Sequence, residues 1–313
     1  MPISLHVRGL ALALCALAGS AQADGRISLS FNDPSALYSA YYADIQRVTA
    51  AAGNSWLDHF LDAAAPLSLS VQISFASIAT ATGRSMASAY LGTDAAGMRL
   101  FEQGAAHEIN TGLDSNGAAA DIEVTLGIDG YLQQELWFDP SPGSSFTTVP
   151  WNQTDAYSVL QHEFGHAFGF NGWRDSITAA LPGDYLSTFD ALVTPRTLES
   201  GTTVFYFTGA QTVATYGGPV PLTLANYGHL GNWAPALGAD LLPDLMNGLA
   251  SERGARYEIS ALDLQVMRDL GLPSALAVPE PGTWALWLAG LCAMAIRQRK
   301  VAWRLIARPG AAE

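Results

Sequence analysis

One short segment holds the residues best suited to chemistry. His162, Glu163 and His166 stand in the pattern HExxH. On a helix, residues four positions apart lie one turn apart on the same face, so both imidazoles can reach one Zn²⁺. Glu163 then flanks the pair, where it can act as a general base on metal-bound water. The motif predicts a zinc centre with a hydrolytic role. A chance match on a solvated helix face is the alternative.

The surrounding residues predict the helix that must carry the motif, over residues 154–168. At about 100° per residue, one face collects apolar side chains and both histidines point away from it. That face holds Tyr157, Leu160, Phe164, Ala167 and Phe168. Gly169 is favourable if the helix ends there, which lets the chain turn under the metal. Gly165, inside the helix, must permit close packing of another element.

The run from His162 to Phe170, HExxHxxGF, resembles the metzincin metallopeptidases. In most of them the third ligand follows the glycine by three residues. That position here is Gly172, which has no side chain to bind metal. In the leishmanolysin-like branch a long insertion precedes a distant histidine. His229 is the only histidine after His166, so the resemblance implies that it completes a Zn²⁺ site across an insertion of 59 residues.

The resemblance continues after His229. A tryptophan follows His229 closely, and the segment that ends at Met246 resembles the methionine turn beneath the zinc. Met246 and Gly169 would then be structural residues under the metal. The resemblance implies an α+β fold, with a small mixed sheet packed on a long helix and an active-site helix. A helical, loop-rich C-terminal subdomain and zinc endopeptidase activity on peptide or protein substrates are also implied.

Several other interpretations of these residues stay open. His229 could be an ordinary loop histidine, and Met246 could simply fill a gap in the core. Carboxylates also bind zinc, and the insertion contains Asp175, Asp184 and Asp190. A thermolysin-like site would need a downstream helical glutamate, for which the sequence offers Glu199, Glu252 and Glu258. A calcium site lacks the usual spacing in the nearest candidates, Asp114, Asn116 and Asp121.

Two rival functions also stay open. The chain could be a non-catalytic surface or matrix protein that keeps the helix only as a scaffold. It could also be a zinc hydrolase that acts on a non-peptide bond. A measurement of bound metal distinguishes the zinc peptidase from the non-catalytic protein. A panel of substrates distinguishes it from the hydrolase of a non-peptide bond.

Periodicity along the rest of the chain predicts an α+β fold. Alternation predicts strands at 27–31, 67–75, 122–126, 132–138 and 202–207. Apolar spacings of three and four, together with capping residues, predict helices at 36–61, 95–109 and 260–270. Strands and a helix come first, and helices with long loops follow. We expect the strand at 132–138 to be the edge strand that aligns an extended substrate by β-addition.

The net charge excludes one class of partner, and the cysteine content excludes one class of metal ligand. Residues 24–277 contain nine arginines, no lysine and 26 acidic residues, a formal net charge of −17. Because phosphate binding needs the opposite sign, we exclude nucleic acid as a partner. The two cysteines, Cys15 and Cys292, lie outside this stretch, so a metal site in it must use histidines and carboxylates.

Both ends of the chain predict export. Residues 1–23 have the layout of a signal peptide, with an apolar run and the small-x-small site Ala21-Gln22-Ala23. Near the other end, Pro279-Glu280-Pro281 precedes an apolar run at 283–296 and a basic cluster. This layout resembles the PEP-CTERM sorting signal of Gram-negative bacteria. We therefore divide the chain into a signal peptide (1–23), a metallopeptidase domain (24–277), the sorting signal (278–300) and a basic tail (301–313).

The sorting signal implies a location and a processing partner. The resemblance implies that an exosortase-type enzyme cuts near the motif and that the apolar segment anchors the chain transiently in the inner membrane. The protein would then reach the cell surface, the outer membrane or the extracellular matrix. The apolar run has 14 residues, fewer than the roughly 20 that span a bilayer comfortably. A simple transmembrane anchor is the alternative.

Overall fold

A computed structural model describes residues 26–60, 68–144, 147–231, 241–248 and 251–273. The predicted signal peptide, the predicted sorting signal and the tryptophan after His229 lie outside these residues. The described part is a mixture of helices and small sheets, so the predicted α+β class is confirmed at this level. Within these ranges, no helix is long and apolar enough to cross a membrane.

The elements are numbered in chain order. The strands are β1 (Ile27–Asn32), β2 (Leu69–Ala76), β3 (Ala81–Ser85), β4 (Ser88–Thr93), β5 (Arg99–Gln103), β6 (Ile122–Gly127), β7 (Leu136–Trp137), β8 (Thr154–Asp155), β9 (Tyr185–Ser187), β10 (Val193–Thr197), β11 (Thr203–Phe207) and β12 (Val220–Pro221). The α-helices are α1 (Tyr42–Leu57), α2 (Gly104–Thr111), α3 (Ala156–Phe168), α4 (Thr188–Ala191), α5 (Ala210–Tyr216) and α6 (Ala261–Asp269).

The main sheet has the strand order β1-β2-β6-β3. The first three strands are parallel, and β3 runs antiparallel at the edge. Alternation along β2 buries Leu69, Val71 and Ile73 completely, as the sequence pattern predicts. Helices α1 and α3 pack against each other, and they contact β1 and β3 respectively. The two helices therefore lie on one face of the sheet, with the main core between them and the strands.

Helix α1 shows why the long amphipathic segment is needed. Its buried residues Ile45, Val48, Ala52 and Trp56 recur at helical spacing. The indole Nε1 of Trp56 donates a hydrogen bond to the backbone oxygen of Gln161 at 2.8 Å. This bond joins α1 to the middle of α3, so the long helix holds the motif-bearing helix in place.

Helix α3 is more deeply buried than its sequence pattern indicates. The predicted apolar face is buried, but so are Ser158, Gln161 and Glu163 on the other faces. The helix begins at Ala156, two residues later than predicted, because Thr154–Asp155 pairs with β7 as β8. It ends at Phe168 with Gly169 as its C-cap, as predicted.

Two predicted elements are wrong. Residues 132–138 do not form a strand: Tyr131–Glu135 is a single π-helical segment, and only Leu136–Trp137 is extended. Gly130 has a φ of 90° and its carbonyl accepts from the backbone N–H of Gln134, so the chain turns helically there. Residues 95–109 are not one helix, because Arg99–Gln103 pairs with β4 on one side and with β9 on the other.

The insertion also differs from the expected helical and loop-rich subdomain. It carries a three-stranded antiparallel sheet, β10-β11-β12, together with the short helices α4 and α5. Within β11, Val204, Phe205 and Phe207 are almost completely buried. Phe205 and Phe207 belong to the same hydrophobic core as the buried residues of α1 and α3.

Candidate metal centre

Three histidine side chains meet at one point of the described structure. His162 and His166 lie one turn apart on α3, and His229 lies in the segment between β12 and the methionine-bearing turn. The His162 Nε2 is 3.1 Å from the Nε2 of both His166 and His229, and the latter two Nε2 atoms are 3.0 Å apart. The chain thus brings the three predicted ligands together.

The other nitrogen of each ring faces a backbone carbonyl. The Nδ1 atoms of His162 and His166 lie 2.7 Å from the oxygens of Leu245 and Phe170. The Nδ1 of His229 lies 3.3 Å from the oxygen of Asn226. Because a carbonyl oxygen only accepts, each Nδ1 must carry the hydrogen. All three Nε2 atoms then point lone pairs at one another, an arrangement that a shared cation would relieve.

The separations suit a small tetrahedral cation. Zinc–nitrogen bonds of about 2.0–2.1 Å place tetrahedral ligand atoms about 3.3 Å apart, slightly more than the distances here. Burial lowers the pKa of all three histidines, and the neighbouring imidazoles lower the pKa of His166 and His229 further. The pKa of His229 falls to about 3. The rings are therefore neutral near pH 7, the form that binds metal.

Glu163 lies in the same cleft but outside the group of three histidines. Its side chain is 6% exposed, and burial raises its pKa to about 8. The backbone N–H of Gly83, on edge strand β3, donates to its carboxylate and lowers the pKa. A Cβ at Gly83 would lie 2.6 Å from the Cβ of Glu163, so only glycine lets the strand come this close.

Met246 packs against Gly165, on the helix that carries His162 and His166. It is completely buried, and a Cβ added at Gly165 would lie 3.0 Å from its Cε. The glycine inside α3 therefore leaves room for the thioether. The backbone oxygen of Met246 accepts from the N–H of Leu230, the residue after His229, at 2.8 Å. The methionine turn and the His229 segment are thus held together.

The cleft contains groups that sequence reasoning missed. It has a volume of about 500 Å³ and runs between β3, α3 and the two loops that carry His229 and Leu245. Tyr131 lines it, is 6% exposed, and makes no hydrogen bond through its hydroxyl to any residue that the structure describes. Burial first, then the charges of Glu163 and Glu135, raise the pKa of Tyr131. The π-helical turn that holds Tyr131 left no periodic signal in the sequence.

The alternative ligands lie elsewhere. Asp184 pairs with Arg99 at 2.6 Å, Asp190 accepts from the hydroxyl of Tyr227, and Asp175 caps a local turn. The three histidines form a group without any carboxylate from the described residues, and so without Glu199, Glu252 or Glu258.

Two of the three calcium candidates, Asp114 and Asp121, form an acidic group with Glu108 instead of Asn116. Carboxylate oxygens of Glu108, Asp114 and Asp121 lie within 4.8 Å of one another, and the Asn116 side chain instead donates to the oxygens of Ala119 and Ala120. Burial, and then the charges of Asp121 and Asp114, raise the pKa of Glu108 to about 7.

Comparison with known proteins identifies one end of the chain. Residues 277–304 match the model of the PEP-CTERM protein-sorting motif. The match extends the predicted signal by one residue at its start and by four at its end. The motif indicates export and sorting to the cell surface in Gram-negative bacteria, and exosortase-type enzymes recognise it. No curated protein and no solved structure matches the chain.

Proposed function

We propose that this protein is an exported zinc-dependent endopeptidase. The observation that carries the proposal is the convergence of three Nε2 lone pairs, from His162, His166 and His229, beside a buried glutamate in a cleft. The donor set fits Zn²⁺, because three neutral imidazoles leave a fourth position open. Bound there, zinc would supply an activated water and polarise the scissile carbonyl.

Glu163 is the general base in this proposal. It accepts a proton from the attacking water and passes it to the leaving amine nitrogen. The Gly83 N–H keeps its carboxylate in one orientation next to the histidines. A cation held by the adjacent histidines would favour the ionised carboxylate, and so would lower a pKa that burial raises to about 8.

Strand β3 supports a peptide as the substrate. Only alternate residues of this segment hydrogen-bond toward β6. The Thr80 carbonyl accepts from the N–H of Gly127 at one end, and the Met86 N–H donates to the oxygen of Asp121 at the other. By that alternation the backbone groups of Ala81 and the carbonyl of Gly83 face the free edge, whereas the Gly83 N–H bonds Glu163; both residues line the cleft. An extended peptide can add to this edge by backbone hydrogen bonds. Edge strand β3 thus takes the role that the sequence assigns to residues 132–138.

The position of this edge supports cleavage within a chain. Gly83, which contacts Glu163, is the middle residue of the five in β3. A peptide aligned along the edge would therefore have residues on both sides of the bond that faces Glu163. The proposed substrate class is an extended segment of a protein or peptide.

The sorting motif supports a location outside the cell. We propose that an exosortase-type enzyme processes the C-terminal segment after a transient stay in the inner membrane. The peptidase domain would then act at the cell surface, in the outer membrane or in the extracellular matrix.

Metal analysis and a peptidase assay test the proposal together. The purified protein should contain about one zinc per chain and cleave internally quenched peptides. Glu163→Gln should keep the zinc and lose nearly all cleavage, because the ligands are intact and the base is gone. Glu199→Gln, the same change at an exposed residue of the β10–β11 hairpin, is the control. Zinc-loaded protein that cleaves no peptide would favour a zinc hydrolase that acts on another bond, and protein without zinc would favour the non-catalytic alternative. Undiminished cleavage by Glu163→Gln would refute the role of Glu163 as the general base.

A further inference from the structure

The insertion raises a physical question: how a chain of 59 residues returns His229 to α3 in one fixed position. Tyr227, two residues before His229, is 4% exposed and contacts the segment that follows α3. We propose that Gly172, Asp190 and Tyr227 form a latch that positions His229 for metal binding. This inference rests on the proposed zinc centre and assigns a role to residues outside it.

Gly172 forms the receiving surface of the latch. It occupies the place where the short form of the motif carries its third ligand. A Cβ at this residue would lie 2.5 Å from the Cζ of Tyr227, so the phenol ring occupies the space that a side chain would need. The backbone N–H of Arg174 donates to the Tyr227 hydroxyl at 2.5 Å. The glycine therefore lets the returning chain lie directly on the segment that follows the motif.

Asp190 closes the latch from inside the insertion. Its carboxylate is almost completely buried at the start of α4. One oxygen accepts from the Tyr227 hydroxyl at 2.9 Å. The other accepts from the backbone N–H of Trp173 at 2.8 Å and from the hydroxyl of Ser187 at 2.9 Å. A single buried carboxylate thus joins the segment after α3, helix α4 and the residue two positions before His229.

The joined segments are those that orient two of the metal-binding rings. The oxygen of Phe170, two residues before Gly172, accepts from His166 Nδ1. The oxygen of Asn226, directly before Tyr227, faces His229 Nδ1. The latch consequently sets the spacing between the two carbonyls, and with it the separation of the two rings.

A third contact anchors the tyrosine to the insertion's own sheet. The Tyr227 ring stacks on Phe205 of β11, with centroids 4.7 Å apart and planes at 24°. Substitution by phenylalanine would keep this stacking and the packing on Gly172. It would remove the hydroxyl that both Arg174 and Asp190 bind, so Tyr227→Phe isolates the polar part of the latch.

The test compares zinc affinity and metal geometry in matched variants of the full chain. Tyr227→Phe and Asp190→Asn open the latch without touching a metal ligand. The control is Tyr42→Phe, which also removes a tyrosine hydroxyl bonded to an aspartate, Asp33, at 3.0 Å, but far along the chain from the histidines. Measurements are zinc affinity by chelator competition, the visible absorption of the Co²⁺-substituted protein, and the Tm of the metal-free protein.

We expect both latch variants to bind zinc roughly 10–100-fold more weakly than wild type, the usual effect of losing a group that orients a ligand. Their Co²⁺ spectra should shift, and Tyr42→Phe should change neither quantity. If the wild type binds zinc and both latch variants match Tyr42→Phe in zinc affinity and Co²⁺ spectrum, the latch is wrong and the proposed zinc centre stands. Failure of the wild type to bind zinc would overturn the proposed centre and the latch together.

Discussion

Replacement of His229 by glutamine should affect the metal-free and zinc-bound protein in opposite directions. In the metal-free site the His229 Nε2 lies 3.1 and 3.0 Å from the acceptor nitrogens of His162 and His166. A glutamine amide placed there presents N–H donors to those lone pairs. One new hydrogen bond contributes about 1 kcal/mol. For a domain of this size that raises the Tm of the metal-free protein by about 2–4 °C.

Zinc binding should weaken in the same variant. Four-ligand structural zinc sites bind with roughly 10–16 kcal/mol, so each ligand contributes about 2.5–4 kcal/mol. At 1.4 kcal/mol per tenfold change, His229→Gln should raise the zinc Kd roughly 60- to 700-fold. Peptide cleavage at micromolar zinc should fall accordingly, because two imidazoles would hold the ion weakly.

Calorimetry with and without a chelator, together with zinc competition titrations, measures both effects. His59→Gln is the matched control, since this half-buried histidine lies near the end of α1, outside the three-histidine group. A lower metal-free Tm for His229→Gln, combined with unchanged zinc affinity, would refute the argument from converging lone pairs.

Three further predictions concern other parts of the chain. Tyr131→Phe should lower kcat roughly 10–100-fold with KM and zinc content unchanged, because the Tyr131 hydroxyl, which bonds to no residue that the structure describes, can donate to the charged transition state; an unchanged kcat would exclude that role. Because the pKa of Glu108 is raised to about 7, its protonated form favours folding, and the contribution of Glu108 to the Tm should fall as the pH rises from about 4.5 to 7. Glu108→Gln should flatten that fall, and a parallel pH profile would count against the acidic cluster as its cause. Edman sequencing of the exported protein should begin at or within a few residues of Asp24, and a retained Met1 would contradict the signal peptide.

The sequence predicted well wherever one element is specified by its own residues. The strands β1, β2 and β6 and the end of α3 at Gly169 lie close to their predicted positions, and the long helix α1 forms but is shorter than predicted, at 42–57 instead of 36–61. Each of these elements has a complete apolar period or a local cap, so neighbouring residues contain the information. Predictions were wrong where hydrogen bonds to strands elsewhere in the chain decide the structure. Residues 99–103 became a strand because β4 and β9 supply hydrogen bonds on both sides.

In the candidate site, too, some features follow from neighbouring residues and others depend on the tertiary structure. The spacing of His162 and His166 is a property of any helix, so the sequence alone determined that these two rings share a face. The sequence also left His229 as the one remaining imidazole, and resemblance implied its role. Neither periodicity nor composition could place that ring within 3.1 Å of the other two.

Tertiary structure decided everything that joins distant segments at the cleft. The Gly83 N–H on Glu163, the Leu245 carbonyl on His162 and the Tyr227 ring on Gly172 each connect residues more than fifty positions apart. Such contacts depend on how packed layers bring backbones together, and local propensities contain no record of them. The sequence therefore specified which side chains could bind a metal, and the packing of the sheet, helix α3 and the insertion decided that their lone pairs converge.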